Sequence, residues 1–327
     1  MAAPAPPPRA APLAALTPPG PAVAVELLAD TPGVPGPDAL AAPGDALEPR
    51  GDVESLLRGH GTIAAGPTGL AATVAGVVGR VDRLVGVAAA GGRYGADVGD
   101  VVVGRVSGLA GKRWRVDLGG RQDAALPLSA VRLPGGAARR RTAEDEASMR
   151  ALLSEGDPIA AEVHALHGDG CALLQARSRR HGKLGDGVLV SVPPRCASRQ
   201  RTQAATCPGA RVRIVLGVNG WVWVSPDRGG QEGDTAAGGL GGDDDDAPPP
   251  PTPPPPTPAQ RLDVAAAVGA LRALGALGLP VTPESVDAAV AAAAAAGVRP
   301  PDMGEVAFLR VVAQGERERR MGMQEDD

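Results

Sequence analysis

Three stretches carry the residue types that grip a polyanion. Between residues 177 and 213, nine cations (Arg177, Arg179, Arg180, Lys183, Arg195, Arg199, Arg201, Arg211 and Arg213) stand against one acid, Asp186. Lys112, Arg113, Trp114 and Arg115 form a second basic run around an aromatic ring, and Arg139, Arg140 and Arg141 a third. Cations neutralise phosphates and rings stack on bases, so this is the chemistry of nucleic-acid binding, most simply RNA. Gly217, Val218, Asn219 and Gly220 match the GxxG pattern with which KH domains clamp a nucleic-acid backbone. That clamp normally joins two helices, whereas here strand-like RVRIVL precedes and WVWV follows. Asn-Gly between such runs signals a hairpin turn; the turn is the first reading and direct RNA contact the second.

Other reactive residues lack the company that chemistry needs. No GxSxG, HExxH or Walker loop is present. Cys171, Cys196 and Cys207 share no CxxC spacing, so neither a zinc site nor a disulfide framework is expected, and no cofactor is implied. His60 sits between glycines in Gly59-His60-Gly61-Thr62 with no ligand-type residue at a recognisable spacing, which reads as a sharp turn. The acids 144–146 suit a helix start, and Asp243–Asp246 lie in a solvated linker. Trp114 has two readings, a base-stacking ring or part of a barrel core. Trp221 and Trp223 share one strand face, which suits packing against a neighbouring domain. Aromatics make up only 2% of the chain. Backbone contact rather than base reading is therefore the expected mode.

These residues must be held by a chain of uneven order. Its 327 residues include 46 Gly and 34 Pro, enough to mark parts of it as low-complexity. Residues 93–226 carry a net charge of +8 and the remainder −12, so the cations are concentrated in the middle. No apolar run reaches the roughly 18 residues of a membrane span. Residues 1–43 alternate Pro, Ala and Gly and are expected to be a disordered leader rather than a targeting signal. Residues 44–92 read as short, Gly-broken strands of a small β unit.

From residue 93 the pattern sharpens. A strand over 101–106 precedes 112–118, where Lys112, Trp114, Val116 and Leu118 share one face. Gly119-Gly120 makes a turn and 121–128 returns. A helix is expected from an N-cap at Thr142 to Gly156, then strands over 159–166 and 171–176. Five short strands with an inserted helix fit an OB-type barrel. Residues 227–258 are an acidic, then polyproline, linker. Helices follow over 260–277, 283–296 and 304–320. The fold class expected is multidomain, mainly β and then α+β.

Taken together, GHGT, VGDVVVGRV, KRWRVDL, LPGGAARRRTAEDEASMRALLSEGD, HGKLGDGVLVSVPP and VLGVNGWVWV resemble the RNA exosome cap subunits of the ribosomal RNA-processing protein 4 type. The resemblance is dense over 44–226 and looser over 260–320. It implies an N-terminal β domain at 44–92, an S1 (OB-fold) domain at 93–176, and a KH domain in two parts, 177–226 and 259–321. An insertion at 227–258 separates those parts, and 322–327 is a tail. It further implies a noncatalytic subunit capping a ring of RNase PH-like subunits beside other cap subunits. Such a subunit guides single-stranded RNA toward 3′-to-5′ decay in nucleus, nucleolus and cytoplasm, with no membrane partner. Gly59, His60, Gly61 and Thr62 would face the ring. Arg139–Arg141, Lys112–Arg115, Arg177, Arg179, Arg180 and Lys183 would meet RNA. The zinc-ribbon cap paralogue is disfavoured by the cysteine spacing, and the other S1/KH cap paralogue fits GHGT and RRRTAEDE less well. A free-standing S1/KH regulator is the alternative. A self-contained nuclease would need a further stretch of about 100 residues that this chain does not leave free.

Overall fold

The computed structural model describes residues 40–47, 56–66, 69–89, 91–132, 143–178, 180–197, 199–200, 202–227 and 255–325. The N-cap expected at Thr142, the basic loop 139–141 and nearly all of the acidic and polyproline linker lie outside them.

Among the described residues the first unit has seven short strands: β1 (Leu40–Ala41), β2 (Ala46–Leu47), β3 (Leu57–Arg58), β4 (Thr62–Ala65), β5 (Gly69–Ala72), β6 (Gly76–Val81) and β7 (Leu84–Ala89). They form one sheet in the order β1-β6-β7-β3 and another in the order β2-β5-β4. Leu40 and Ala41, within the stretch expected to be leader, form β1, because Leu40 pairs with Val77 on β6. The core is thin: Ala41, Leu47, Leu70, Ala72, Val85 and Val87. Backbone closeness compensates. Gly61 sits at φ 71° with the carbonyl oxygen of Val87 and a Val74 methyl where a Cβ would go. Gly61→Ala is expected to cost about 1–2 kcal/mol for the left-handed backbone, plus the clash. Faster proteolysis within residues 40–89, with the rest of the chain intact, is the readout.

The second unit is a closed barrel. Its strands are β8 (Val101–Ala110), β9 (Arg113–Asp117), β10 (Ala124–Pro127), β11 (Pro158–Leu166) and β12 (Ala172–Gln175). The hydrogen-bonded order runs β12-β10-β9-β8-β11, and pairing of β12 with β11 closes the ring. A short β13 (Gly182–Lys183) extends it along β11. β9 alternates as expected: Trp114 and Val116 point inward, while Arg113, Arg115 and Asp117 face out. The expected inserted helix is two short ones, α1 (Ala143–Ala147) and α2 (Met149–Leu152), interrupted at Ser148. Met149 and Leu153 join the barrel core.

The third unit is α+β. β14 (Val188–Ser191), β15 (Ala204–Cys207), β16 (Val212–Leu216) and β17 (Trp221–Pro226) form an antiparallel sheet in the order β14-β17-β16-β15. Helices α3 (Pro258–Leu277), α4 (Pro283–Ala295) and α5 (Val306–Glu325) follow. Val212, Ile214, Val222 and Val224 pack with Leu271, Leu274, Val286, Phe308 and Leu309 in one core. α3 opens with a capping box between Thr257 and Gln260, and its cap residue Gly278 adopts φ 71°. α4 has its own capping box, Thr282 with Ser285.

Candidate nucleic-acid interface

The Gly217–Gly220 segment is the tight turn between β16 and β17, and it points into the protein. The Gly217 N–H donates to Trp221 O at 2.9 Å and the Gly220 N–H to Gly217 O at 3.0 Å. Asn219 is 2% exposed. Its Oδ1 accepts from the Val103 N–H at 3.3 Å, and its Nδ2 donates to Val103 O at 2.8 Å and Leu118 O at 2.9 Å. The Val218 N–H adds a bond to Val101 O at 3.0 Å. A buried amide whose oxygen and nitrogen are both engaged joins the turn of the third unit to β8 and the end of β9. Around it, Trp223 packs with Val103, Ala160, Leu184 and Val215, and Trp221 lies against the edge of this cluster. Both tryptophans thus serve the seam between barrel and sheet.

The basic run 177–213 is largely engaged within the chain. Arg199 Nε donates to Asp100 Oδ1 at 2.7 Å, and its Nη2 reaches Asp97 Oδ2 at 3.1 Å. Asp100 is 2% exposed and also accepts the Tyr94 hydroxyl at 2.7 Å. Burial pushes the Tyr94 phenol well above its ordinary range, with the hydrogen bond to Asp100 adding to the rise, and the Asp100 hydrogen bond raises the Arg199 guanidinium. Lys183 pairs with Asp157 at 2.6 Å and Arg211 with Asp263 at 2.7 Å. Arg177 donates to Ser129 O at 3.3 Å. Arg195 and Arg213 also interact with the rest of the chain. Arg180 is exposed, and Arg179 and Arg201 lie outside the described residues. The acids Asp97, Asp100 and Asp157 are partners of this basic run that sequence reasoning missed. Arg199→Ala is expected to lower stability, because it leaves the buried Asp100 carboxylate without its guanidinium partner. Urea unfolding reads it.

On the barrel's outer face, Arg113 and Arg115 are both exposed, with Arg105 exposed on neighbouring β8. Lys112, at the β8–β9 turn, pairs with Glu146 at 2.6 Å, and Arg115 lies 3.6 Å from Asp123. Trp114 corrects the sequence reading that set it among the RNA contacts. It is 1% exposed, and its Nε1 donates to Leu153 O at 3.1 Å, so it offers no ring to a base. In the first unit, the Thr62 hydroxyl donates to Gly59 O at 2.8 Å, and the Gly59 N–H donates to Val85 O at 2.9 Å. The His60 backbone oxygen accepts from Val87 at 2.8 Å while its imidazole faces outward. These bonds make 59–62 a rigid turn presenting one histidine.

Residues 93–165, the barrel up to β11 but without β12, match the family model described as RRP4, S1 domain. The barrel is thus similar to the S1 domain of RRP4. Beyond this RRP4-type barrel, the chain is 46% identical over 201 residues to exosome complex component RRP4 of Bos taurus, covering 62% of this chain and 66% of that protein. It is 45% identical over 185 residues to the Saccharomyces cerevisiae protein of the same name, covering 57% and 50%. It is 44% identical over 171 residues to the exosome complex component RRP4 homolog of Arabidopsis thaliana, covering 52% and 53%. The chain thus spans just under two thirds of the bovine RRP4 and about half of the other two.

Proposed function

We propose that this chain is a noncatalytic, RNA-binding cap subunit of the RNA exosome. It would stabilise a ring of RNase PH-like subunits and guide single-stranded RNA into its channel for 3′-to-5′ degradation and processing, including ribosomal RNA maturation. The observation that carries this reading is the RRP4-type S1 barrel at 93–165. The names of its relatives, exosome complex components, agree with it. The division is an N-terminal β domain (44–92), an S1 domain (93–176) and a KH domain (177–226 and 259–321) interrupted by 227–258. The expected leader 1–43 and tail 322–327 flank these domains, with β1 extending the first domain back to Leu40 and α5 running to Glu325. The four-stranded sheet backed by three helices supports the KH assignment. The working compartments are nucleus, nucleolus and cytoplasm.

The first domain is the side offered to the ring. Leu40, Leu57, Ile63, Val81 and Leu84 are all exposed there, around the turn 59–62, on a unit with a thin core. Buried against a partner, such side chains add stability that the isolated unit lacks. Mixing the purified chain with RNase PH-like ring subunits tests the assembly: co-elution is expected, and a chain that elutes alone contradicts it. RNA degraded by the chain alone, with loss of that activity on changing one of its own acids, contradicts the noncatalytic reading. Changing Arg139, Arg140 and Arg141 to Ala is expected to weaken RNA binding. It should also flatten the salt dependence by up to about one slope unit per lost phosphate contact. An unchanged slope removes this loop from the contact.

A further inference from the structure

The cations around Trp114 do not leave the barrel in one direction. Along β9, Arg113 and Arg115 are exposed on the outer face while Trp114 points into the core. Lys112 precedes β9 in the register of Trp114, so its stem leaves on the other side, toward the inserted helices. There its Nζ meets Glu146 Oε1 of α1 at 2.6 Å. Among the described residues, Lys112 is the only cation paired with the Glu146 carboxylate. The Lys112 backbone is placed as firmly. Gly111 takes φ 62° in the turn before it, and the Lys112 carbonyl accepts the Leu128 N–H at 3.1 Å.

The inserted helices are tied to the barrel at two places. Met149 and Leu153 enter the barrel core, and Leu153 O accepts the Trp114 Nε1–H, which anchors α2 and the chain leaving it. The Lys112–Glu146 pair ties α1 to the β8–β9 turn. α1 begins at Ala143, two residues after Arg141. Whatever fixes α1 therefore fixes the point at which the arginine run 139–141 ends.

We infer that Lys112 and Glu146 are a positioning pair. Lys112 acts on RNA through Glu146 and α1, by keeping the end of the arginine run beside the Arg113 and Arg115 face, and not by holding a phosphate itself. This inference rests on the RNA-binding reading above. An ammonium facing a carboxylate at 2.6 Å has most of its field cancelled, so it attracts a phosphate weakly. Two groups of arginines held close together engage one strand at a high effective concentration. Once released, the second group must be ordered again at each binding event. A partly solvated ion pair secures such an arrangement by a factor of roughly two to five.

The sign of one substitution decides. Glu146→Gln removes an acid beside a basic surface, and charge alone would then tighten RNA binding. The positioning role requires the opposite. The test titrates the full chain with a labelled single-stranded RNA about twenty nucleotides long, which covers more than one barrel's site. Glu146→Gln and Lys112→Met should each weaken binding roughly two- to five-fold. The exchange Lys112→Glu/Glu146→Lys, which restores the pair at unchanged net charge, should recover most of that loss. With Arg139, Arg140 and Arg141 changed to Ala, Glu146→Gln should no longer weaken binding. RNA held as tightly or more tightly by Glu146→Gln overturns the inference. So does an exchange variant that binds more weakly than either single change, which is the result for a lysine that touches phosphate. An equal loss from Glu146→Gln with and without the three arginines overturns it as well. A parent chain that binds no RNA defeats the RNA-binding reading itself, a result separable from failure of the positioning pair.

Discussion

Trp114→Ala is expected to destabilise the barrel by about 3–5 kcal/mol, the range for truncating a large buried aromatic. The ring sits at 1% exposure among Val116, Leu126, Met149 and Leu153, so little of the space it leaves can be refilled. Its Nε1 bond to Leu153 O is the tie between β9 and the chain leaving α2, and losing it strands a buried carbonyl. Trp114→Phe keeps most of the volume and should cost less than half as much. Urea unfolding of both variants gives the comparison. The folded fraction of Trp114→Phe should bind RNA like the parent. Were Trp114 a stacking platform, the alanine variant would fold normally and lose RNA instead.

The second large effect is expected at Asn219. Asn219→Leu removes three hydrogen bonds to the barrel and leaves the Val103 N–H, Val103 C=O and Leu118 C=O buried without partners. At about 1–3 kcal/mol for a stranded group, and with some relaxation, a loss of about 2–5 kcal/mol follows. The Val218 bond to Val101 and the tryptophan cluster remain, so the two units stay in contact but couple more weakly. In urea the parent should unfold barrel and sheet together. The variant should separate into two transitions, or one broader transition of lower apparent slope. A variant that keeps both midpoint and slope means that the turn does not couple the units.

Local physics made much of this fold legible. Strand alternation put Lys112, Trp114, Val116 and Leu118 on one face; the structure buries the last three and leaves Lys112 exposed at the turn before β9. Alternation left Trp114 open between stacking and core, and its burial in the structure decides for the core. The glycine after α3 and the proline opening α4 marked those ends, while the start of α3, read at Gln260, lies two residues earlier at Pro258. What stayed hidden is non-local. Arg199 finds Asp100 and Asp97 from 99 and 102 residues away, and no spacing rule reports that. The basic run thus read as a free polyanion surface, when several of its cations fasten the third unit to the barrel or to its own helix. The turn at 217–220 was legible as a hairpin because Asn-Gly geometry is local. Its docking under the barrel depends on Val103 and Leu118, which lie more than 100 residues away. A two-residue strand at Leu40 and Ala41, set in Pro- and Gly-rich sequence, gave no periodic signal at all.

The seam fixes the barrel's arginines and the basic run in one frame, and that rigidity is tested most directly by residual dipolar couplings of backbone amides in the barrel and in the sheet β14–β17. A single alignment tensor should describe both sets in the parent chain, and two should be needed for Asn219→Leu. Two independent tensors in the parent chain would contradict a rigid seam.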